Sequence, residues 1–189
     1  MKTSSRPNLH LILTHYPVVS KKGEIIASAV TNLDLHDIAR AGRTYGVRSL
    51  YIVTPVLDQL ELVDKIVSHW ISGSGALYNP IRREAMSLIR VQETYASALD
   101  DIAAEGCGKP QTIVTSARKQ NNSLSMDAFR VMIQDGSPYA LVLGTAWGLA
   151  ADFMDGADHH LEPIVGPTDY NHLSVRSAAS IILDRLLGG

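Results

Sequence analysis

Tyr139-Ala140-Leu141-Val142-Leu143-Gly144-Thr145-Ala146-Trp147-Gly148 is the stretch whose reading decides the fold. Its first five residues form a short apolar run, the kind buried on both faces of a parallel sheet. A glycine-bearing turn follows where that strand must end. A second apolar run, Leu161 to Val165, reads as another strand and leads into Gly166-Pro167-Thr168-Asp169-Tyr170-Asn171-His172. From about Leu173, apolar residues recur at Val175, Ala178, Ala179, Ile182, Leu183 and Leu186, close to helical spacing. The order from Tyr139 to Leu187 is therefore strand, turn, helix, strand, polar loop, helix. Open α/β sheets place ligands at the carboxyl ends of their strands. Glycine lets a backbone approach a ligand closely, because no Cβ stands in the way. The two glycine-bearing loops are the predicted ligand pocket.

Working outward, the same alternation fills the rest of the chain. Strands are predicted over Leu9–Thr14, Ile25–Val30, Ser49–Val53, Ile89–Val91 and Gln111–Thr115. Helices are predicted over Asp34–Tyr45, Leu57–Ile71, Asn79–Leu88, Thr94–Glu105 and Leu124–Ile133. Pro17 and Gly23 mark His15–Glu24 as a loop, and Ser116–Ser123 is a polar loop. Ser72-Gly73-Ser74-Gly75 reads as a flexible connection, since no Gly-Lys-Ser/Thr follows to make it a phosphate cradle. Alternating strands and helices with short loops imply an α/β fold, a mainly parallel sheet with helices on both faces. No linker, repeat or low-complexity tract divides it, so residues 1–189 read as a single domain.

Composition narrows the class. The 189 residues are 46% hydrophobic and 19% charged, with a net charge of -2, an ordinary globular balance. No apolar run reaches the roughly 20 residues that span a bilayer. Met1 to Asn8 is polar and lacks the apolar core of a signal peptide. Cys107 is the only cysteine, which excludes an internal disulfide and a cysteine-rich zinc site. A cytoplasmic protein with no membrane and no metal is expected. His159-His160 reads as surface loop, because adjacent histidines point apart. The basic clusters Lys21-Lys22, Arg40 with Arg43 and Arg48, Arg82-Arg83 and Arg118-Lys119 bear on nucleic-acid binding only where they gather beside the pocket.

Three ordered stretches resemble the SPOUT (α/β-knot) RNA methyltransferases. Leu141-Val142-Leu143-Gly144-Thr145-Ala146-Trp147-Gly148 resembles their second motif, a strand ending Leu-Gly-Ser-Glu-Gly. Ile164 through Leu173 to Ala179 resembles the third, Ile-Pro-Met…Ser-Leu-Asn-Val-Ser-x-Ala. Asp34 to Val47, with Arg40 and Gly46, resembles the first motif of the ribose-methylating branch, Asn-x-Gly-x-x-x-Arg-x-x-x-x-Phe-Gly-Val. The resemblance implies a C-terminal deep trefoil knot, which general topology rules would disfavour. It also implies a homodimer, S-adenosylmethionine as cofactor, and tRNA or rRNA as substrate, methylated on a ribose hydroxyl or a base nitrogen.

By matching position, Gly144, Ile164 and Leu173 are expected at the cofactor. Thr115, Ser116, Leu143, Gly148, Val165 and Gly166 are their neighbours at strand ends, with Tyr170, Asn171, His172 and Ser174 from the polar loop. Arg40 matches the family arginine, and a guanidinium can hold a phosphate or stabilise an oxyanion. Asp34 stands where the ribose branch has Asn, and is as well suited to helix capping as to catalysis. Asp169 and His172 are candidate general bases. Ala146 replaces the acidic residue of the second motif, while Ser174 and Arg176 replace the Asn and Ser of the third. Trp147 suits the core, the cofactor or a flipped base. Those replacements keep a second reading open, a non-catalytic knotted dimer that binds RNA or a protein partner. A doubly wound nucleotide-binding enzyme ranks below both, for want of Gly-x-Gly-x-x-Gly after the first strand.

Overall fold

The computed structural model describes residues 6–120 and 122–189. Met1 to Ser5, most of the polar N-terminal stretch, and Asn121 in the polar loop lie outside the described residues. Eight strands and eight helices are seen there: β1 Leu9–Thr14, β2 Val18–Val19, β3 Ile25–Ile26, α1 Asn32–Thr44, β4 Ser49–Val53, α2 Leu57–Ile71, α3 Ser74–Tyr78, α4 Pro80–Met86, β5 Ile89–Gln92, α5 Tyr95–Ala104, β6 Gln111–Val114, α6 Met126–Met132, β7 Tyr139–Gly144, α7 Ala151–Asp155, β8 His159–His160 and α8 Val175–Leu187. No helix among the described residues is long and apolar enough to cross a membrane.

Six strands form one sheet in the order β5-β4-β1-β7-β6-β8, every neighbouring pair parallel. β1 lies inside it, with Leu9 opposite Tyr139 and Thr14 opposite Gly144. Its side chains alternate between two cores. Leu9, Leu11 and Leu13 join Leu141, Leu143 and Ile113 beneath α1, α6 and α8. Ile12 joins Tyr51, Val53, Val114 and Val142 against Ala98 and Ile102 of α5. Burial on both faces explains why these strands read as continuous apolar runs. His10 breaks the run in β1 and is buried, its ring bonded to Ser49 Oγ at 2.7 Å and Asn8 Oδ1 at 3.3 Å.

The chain runs outward from β1 through β4 to β5, then returns on the other side of β1 through β6 and β7. That reversal is a topological switch point, where open α/β sheets carry their binding crevice.

Several elements differ from expectation for identifiable reasons. Leu161–Val165 is not a strand. β8 is His159–His160, so the histidine pair read as loop is the sheet's edge strand. Leu161 still pairs with Leu124, but Pro163 and Pro167 cannot donate to a ladder, and the chain leaves the sheet. Both histidine rings are occupied: His160 Nε2 donates to the Met154 carbonyl at 2.9 Å, and His159 Nε2 lies 3.2 Å from Gln111 Oε1. The last helix starts at Val175, not Leu173, because the Ser174 hydroxyl caps it by accepting from the Ser177 N–H. The predicted loop at 72–75 instead opens α3. There Gly75 packs so closely that a Cβ would lie 2.8 Å from the Trp70 ring. The stretch 25–30 is a strand only at Ile25–Ile26, which pairs antiparallel with β2, itself inside the predicted loop.

Candidate active site

Loops at the carboxyl ends of β6 and β7, the β2–β3 hairpin and the start of α1 enclose a cleft of about 1160 Å³, closed on its remaining side by His160, Glu162, Ile164 and residues 171–176. Ligand pockets commonly measure about 300–1,000 Å³, so there is room for a cofactor and part of a second substrate. A separate depression of about 430 Å³ beside Leu60, Asp64 and Val91 holds none of the candidate residues.

The cleft's walls are held by backbone and hydroxyl bonds. Thr115 donates through both its N–H and its Oγ1 to the Val142 carbonyl, at 3.1 and 3.0 Å. Asn171 Nδ2 donates to the Ala117 carbonyl at 3.0 Å, tying the C-terminal loop to the loop after β6. Glu162 Oε1 accepts the Met126 N–H at 2.7 Å and so serves as a cap for α6. Behind the β7 turn, Thr145 Oγ1 meets Ser28 Oγ, which meets His15 Nδ1 at 3.0 Å. His15 is wholly buried, and its burial lowers its pKa to about 4. It stays neutral near pH 7 behind the pocket.

Gly144 has a tighter reason to be glycine than ligand approach. A Cβ there would stand 2.8 Å from Leu149 Cγ and 3.0 Å from the Leu149 N. The turn folds back onto its own strand at this point. At Gly166 a Cβ would meet nothing within 4 Å.

Of the residues expected at the cofactor, Thr115, Ser116, Leu143, Gly144, Gly148, Ile164, Asn171, His172, Leu173 and Ser174 all line this cleft. Val165, Gly166 and Tyr170 do not; all three are exposed on the same loop. Of the residues expected in catalysis, Asp34 and His172 line the cleft, whereas Asp169 and Arg40 are exposed and off its wall. His36, beside Asp34 in sequence, packs edge-on against Trp70 at 5.4 Å. Burial and the neighbouring Arg82 lower its pKa.

In the sequence Arg176 is only a departure from the third motif. In the structure it lines the cleft, and its Nη1 donates to Asp34 Oδ1 at 3.1 Å while its Nε lies 3.6 Å from Asp37 Oδ2. The Thr31 hydroxyl donates to the other Asp34 oxygen. Asp34 is thus buried with both oxygens engaged. Arg176 has five N–H donors, so several remain for a ligand. Two of the positions that depart from the resembled motifs, Asp34 for Asn and Arg176 for Ser, face each other.

The residues fit S-adenosylmethionine. Leu143, Leu149, Ile164 and Leu173 give apolar walls for a purine. The hydroxyls of Thr115, Ser116 and Ser174, each already hydrogen-bonded within the chain, keep acceptor lone pairs for a ligand, and the Asp155 and Glu162 carboxylates on the wall suit a sulfonium.

Comparison with known proteins agrees with this geometry. A family model described as "SAM-dependent RNA methyltransferase" matches residues 8–188. A protein of Oleidesulfovibrio alaskensis named tRNA (guanine-N(1)-)-methyltransferase is 43% identical over 181 residues, which make up 96% of this chain. The match covers 42% of that relative, so the chain spans less than half of its length. Among solved structures, the TrmH/SpoU tRNA modifying enzyme of A. aeolicus superposes with a TM-score of 0.57 at 17% identity, covering 96% of this chain and 74% of that one. The SpoU methyltransferase AviRb from Streptomyces viridochromogenes, solved with the cofactor AdoMet, gives 0.57 at 13%, covering 96% and 58%. At such identities the likeness is one of fold.

Proposed function

Because the chain belongs to the SAM-dependent RNA methyltransferase family, we propose that its cleft holds S-adenosylmethionine and directs a methyl group onto RNA. The single observation that carries this reading is the meeting of the 143–148 turn and the 171–174 loop on one cleft with the Asp34–Arg176 pair in its wall. When bound, S-adenosylmethionine supplies a methyl made electrophilic by its sulfonium. The protein's task is then binding, alignment and electrostatics. In-line alignment alone is worth about 7–11 kcal/mol in well-oriented model reactions.

Gly144, Gly148 and Leu173 supply backbone, and Leu143 and Ile164 supply apolar contact. Arg176 is held by Asp34 and Asp37 and keeps N–H groups free to bind the acceptor's oxygen or an adjacent phosphate. Asp34, with both oxygens already accepting, is a positioning residue. His172 is the proton acceptor that the cleft wall itself provides. Asp169 stands off that wall.

Arg40 lies outside this chain's own cleft, so it enters the reaction from a second copy. Leu77, Tyr78 and Ile81, each more than four-fifths exposed on α3 and α4, support such a homodimer. The threading of residues 162–174 past the 115–126 loop as a trefoil knot is part of the same proposal, supported by the Glu162–Leu124 and Asn171–Ala117 bonds. The sheet and its helices act as one methyltransferase domain in the cytoplasm. tRNA, the RNA in the O. alaskensis relative's name, is the first substrate to test. Guanine-N1 specificity belongs to that longer protein's name.

Calorimetry with S-adenosylhomocysteine at about 100 μM protein tests the reading. A micromolar Kd, about -8 kcal/mol, is expected, and no heat at that concentration would overturn it. Methyl transfer to RNA then separates the enzyme from a knotted dimer that only binds RNA or a protein.

A further inference from the structure

The rim of the cleft carries an arrangement that goes further, and rests on the reading above. Trp147 is 54% exposed and Tyr170 76% exposed, with His172 between them. The Trp147 and His172 ring centroids are 6.0 Å apart with their planes 37° from parallel. Tyr170 follows at 6.4 Å from His172, nearly perpendicular to it. Aromatic residues normally supply a large buried area, yet this row is left facing water.

The backbone is bent to put it there. Ala146 has φ +51° and Gly148 φ +106°, and a non-glycine residue in the left-handed region marks a turn whose surroundings hold it in place. The β2–β3 hairpin does the holding. The Trp147 N–H donates to the Val19 carbonyl at 3.1 Å, and the Val19 N–H donates to the Gly148 carbonyl at 2.9 Å. The tip of the same hairpin carries Lys21 and Lys22 into the lining of the cleft, and Arg118 reaches it from the loop after β6. Among the described residues these three cations make no ion pair.

We propose that this rim is a stacking platform for unpaired RNA bases, with Lys21, Lys22 and Arg118 taking the phosphates alongside. Every base has a π-face, so exposed rings bind single strands with little sequence preference, while cations follow the backbone. A duplex offers grooves and phosphates but hides its base faces, and would leave the aromatic row unused. Inserting a base between two rings needs about twice the roughly 3.4 Å spacing of stacked bases. The 6.0 Å between Trp147 and His172 is too narrow for that, so bases lie on the row and not within it. The acceptor nucleotide therefore reaches the pocket from a loop, an end, or a position flipped out of its helix.

The test uses the full chain, a fluorescein-labelled unstructured RNA of about 12 nucleotides, and the same strand annealed to its complement. Anisotropy titrations should show the single strand binding at least about tenfold more tightly than the duplex. Trp147→Leu and Tyr170→Leu should each weaken the single strand roughly five- to a hundred-fold, with duplex binding unchanged and thermal unfolding as in the wild type. Lys21→Ala with Lys22→Ala should reduce the salt slope of log K by about 1.4, two phosphates at roughly 0.7 each. Equal affinity for duplex and single strand, ring substitutions without effect, or no RNA binding at all would each overturn the platform; the last would leave the rim to a protein partner. S-adenosylhomocysteine calorimetry on the same preparation keeps the two readings apart. Heat with failed RNA arms removes the platform alone, and RNA arms that hold without heat remove methyl transfer alone.

Discussion

Arg176 Nη1 donates to Asp34 Oδ1 at 3.1 Å, joining the first turn of α8 to the first turn of α1 across 142 positions of sequence. These are the two places where the chain departs from the resembled motifs by gaining a charge. Each charge answers the other. The pair also fixes a guanidinium on the wall of the cleft, where neither residue could hold it alone.

Losing one partner should cost more than losing both. A charge stranded by removal of its partner costs about 3–5 kcal/mol when fully buried. The Arg176 side chain is 37% exposed, so solvent screening reduces this to about 1–2 kcal/mol for Asp34→Ala or Arg176→Ala. The double variant Asp34→Ala with Arg176→Ala should recover at least half of that loss. Urea unfolding of the four proteins measures it, and additive losses would mean the pair is uncoupled.

Gly144→Ala should destabilise by about 1–3 kcal/mol, because the new methyl meets the Leu149 side chain and backbone. Gly166→Ala, with open space around it, should fall within about 0.5 kcal/mol of wild type. Thermal unfolding of the two variants distinguishes a glycine required by packing from one that is not.

Stability should fall in mild acid. Burial lowers the pKa of both His10 and His15 to about 4, below the value of about 6.5 in an unfolded chain. The unfolded state therefore binds more protons between those values, and stability rises with pH across that window. The contribution is fully present above about pH 6.5 and is lost as pH falls toward about 4, up to roughly 3 kcal/mol for each histidine. Urea midpoints from pH 7.5 down to 4.5 should show the decline, and His10→Asn should flatten it.

If Arg40 serves a neighbouring cleft, two inactive variants should rescue one another. Arg40→Ala and Arg176→Ala are each expected to lower methyl transfer by at least about a hundredfold. Subunit exchange between them should restore roughly a quarter of wild-type activity, since half of the dimers then carry one intact site. No recovery after verified exchange would place Arg40 outside the reaction.

Much of the scaffold could be read from residue types alone. Strands such as Leu9–Thr14 and Ser49–Val53 and the helix Leu57–Ile71 are fixed by apolar patterning and turn residues close to them in sequence. The difference at 161–165 is also local: the apolar residues there have the pattern of a strand, and Pro163 and Pro167 prevent one. The candidate site was harder to read. Its glycine turns are visible as motifs, so the location of the cleft is legible, whereas the Ser174 cap is hidden by apolar spacing that extends the helix to Leu173. Arg176 beside Asp34, and Trp147 pinned to Val19, depend on which segments α8 and the β2–β3 hairpin pack against. Nothing in residue spacing carries that information.

The most direct measurement is transfer of a tritiated methyl from S-adenosylmethionine to unfractionated tRNA by the wild type and by Arg176→Ala. Label is expected in the RNA with wild-type protein and at least about a hundredfold less with the variant, while both still bind S-adenosylhomocysteine. Wild-type protein that binds the cofactor product but labels no RNA, or a variant as active as wild type, would contradict the account.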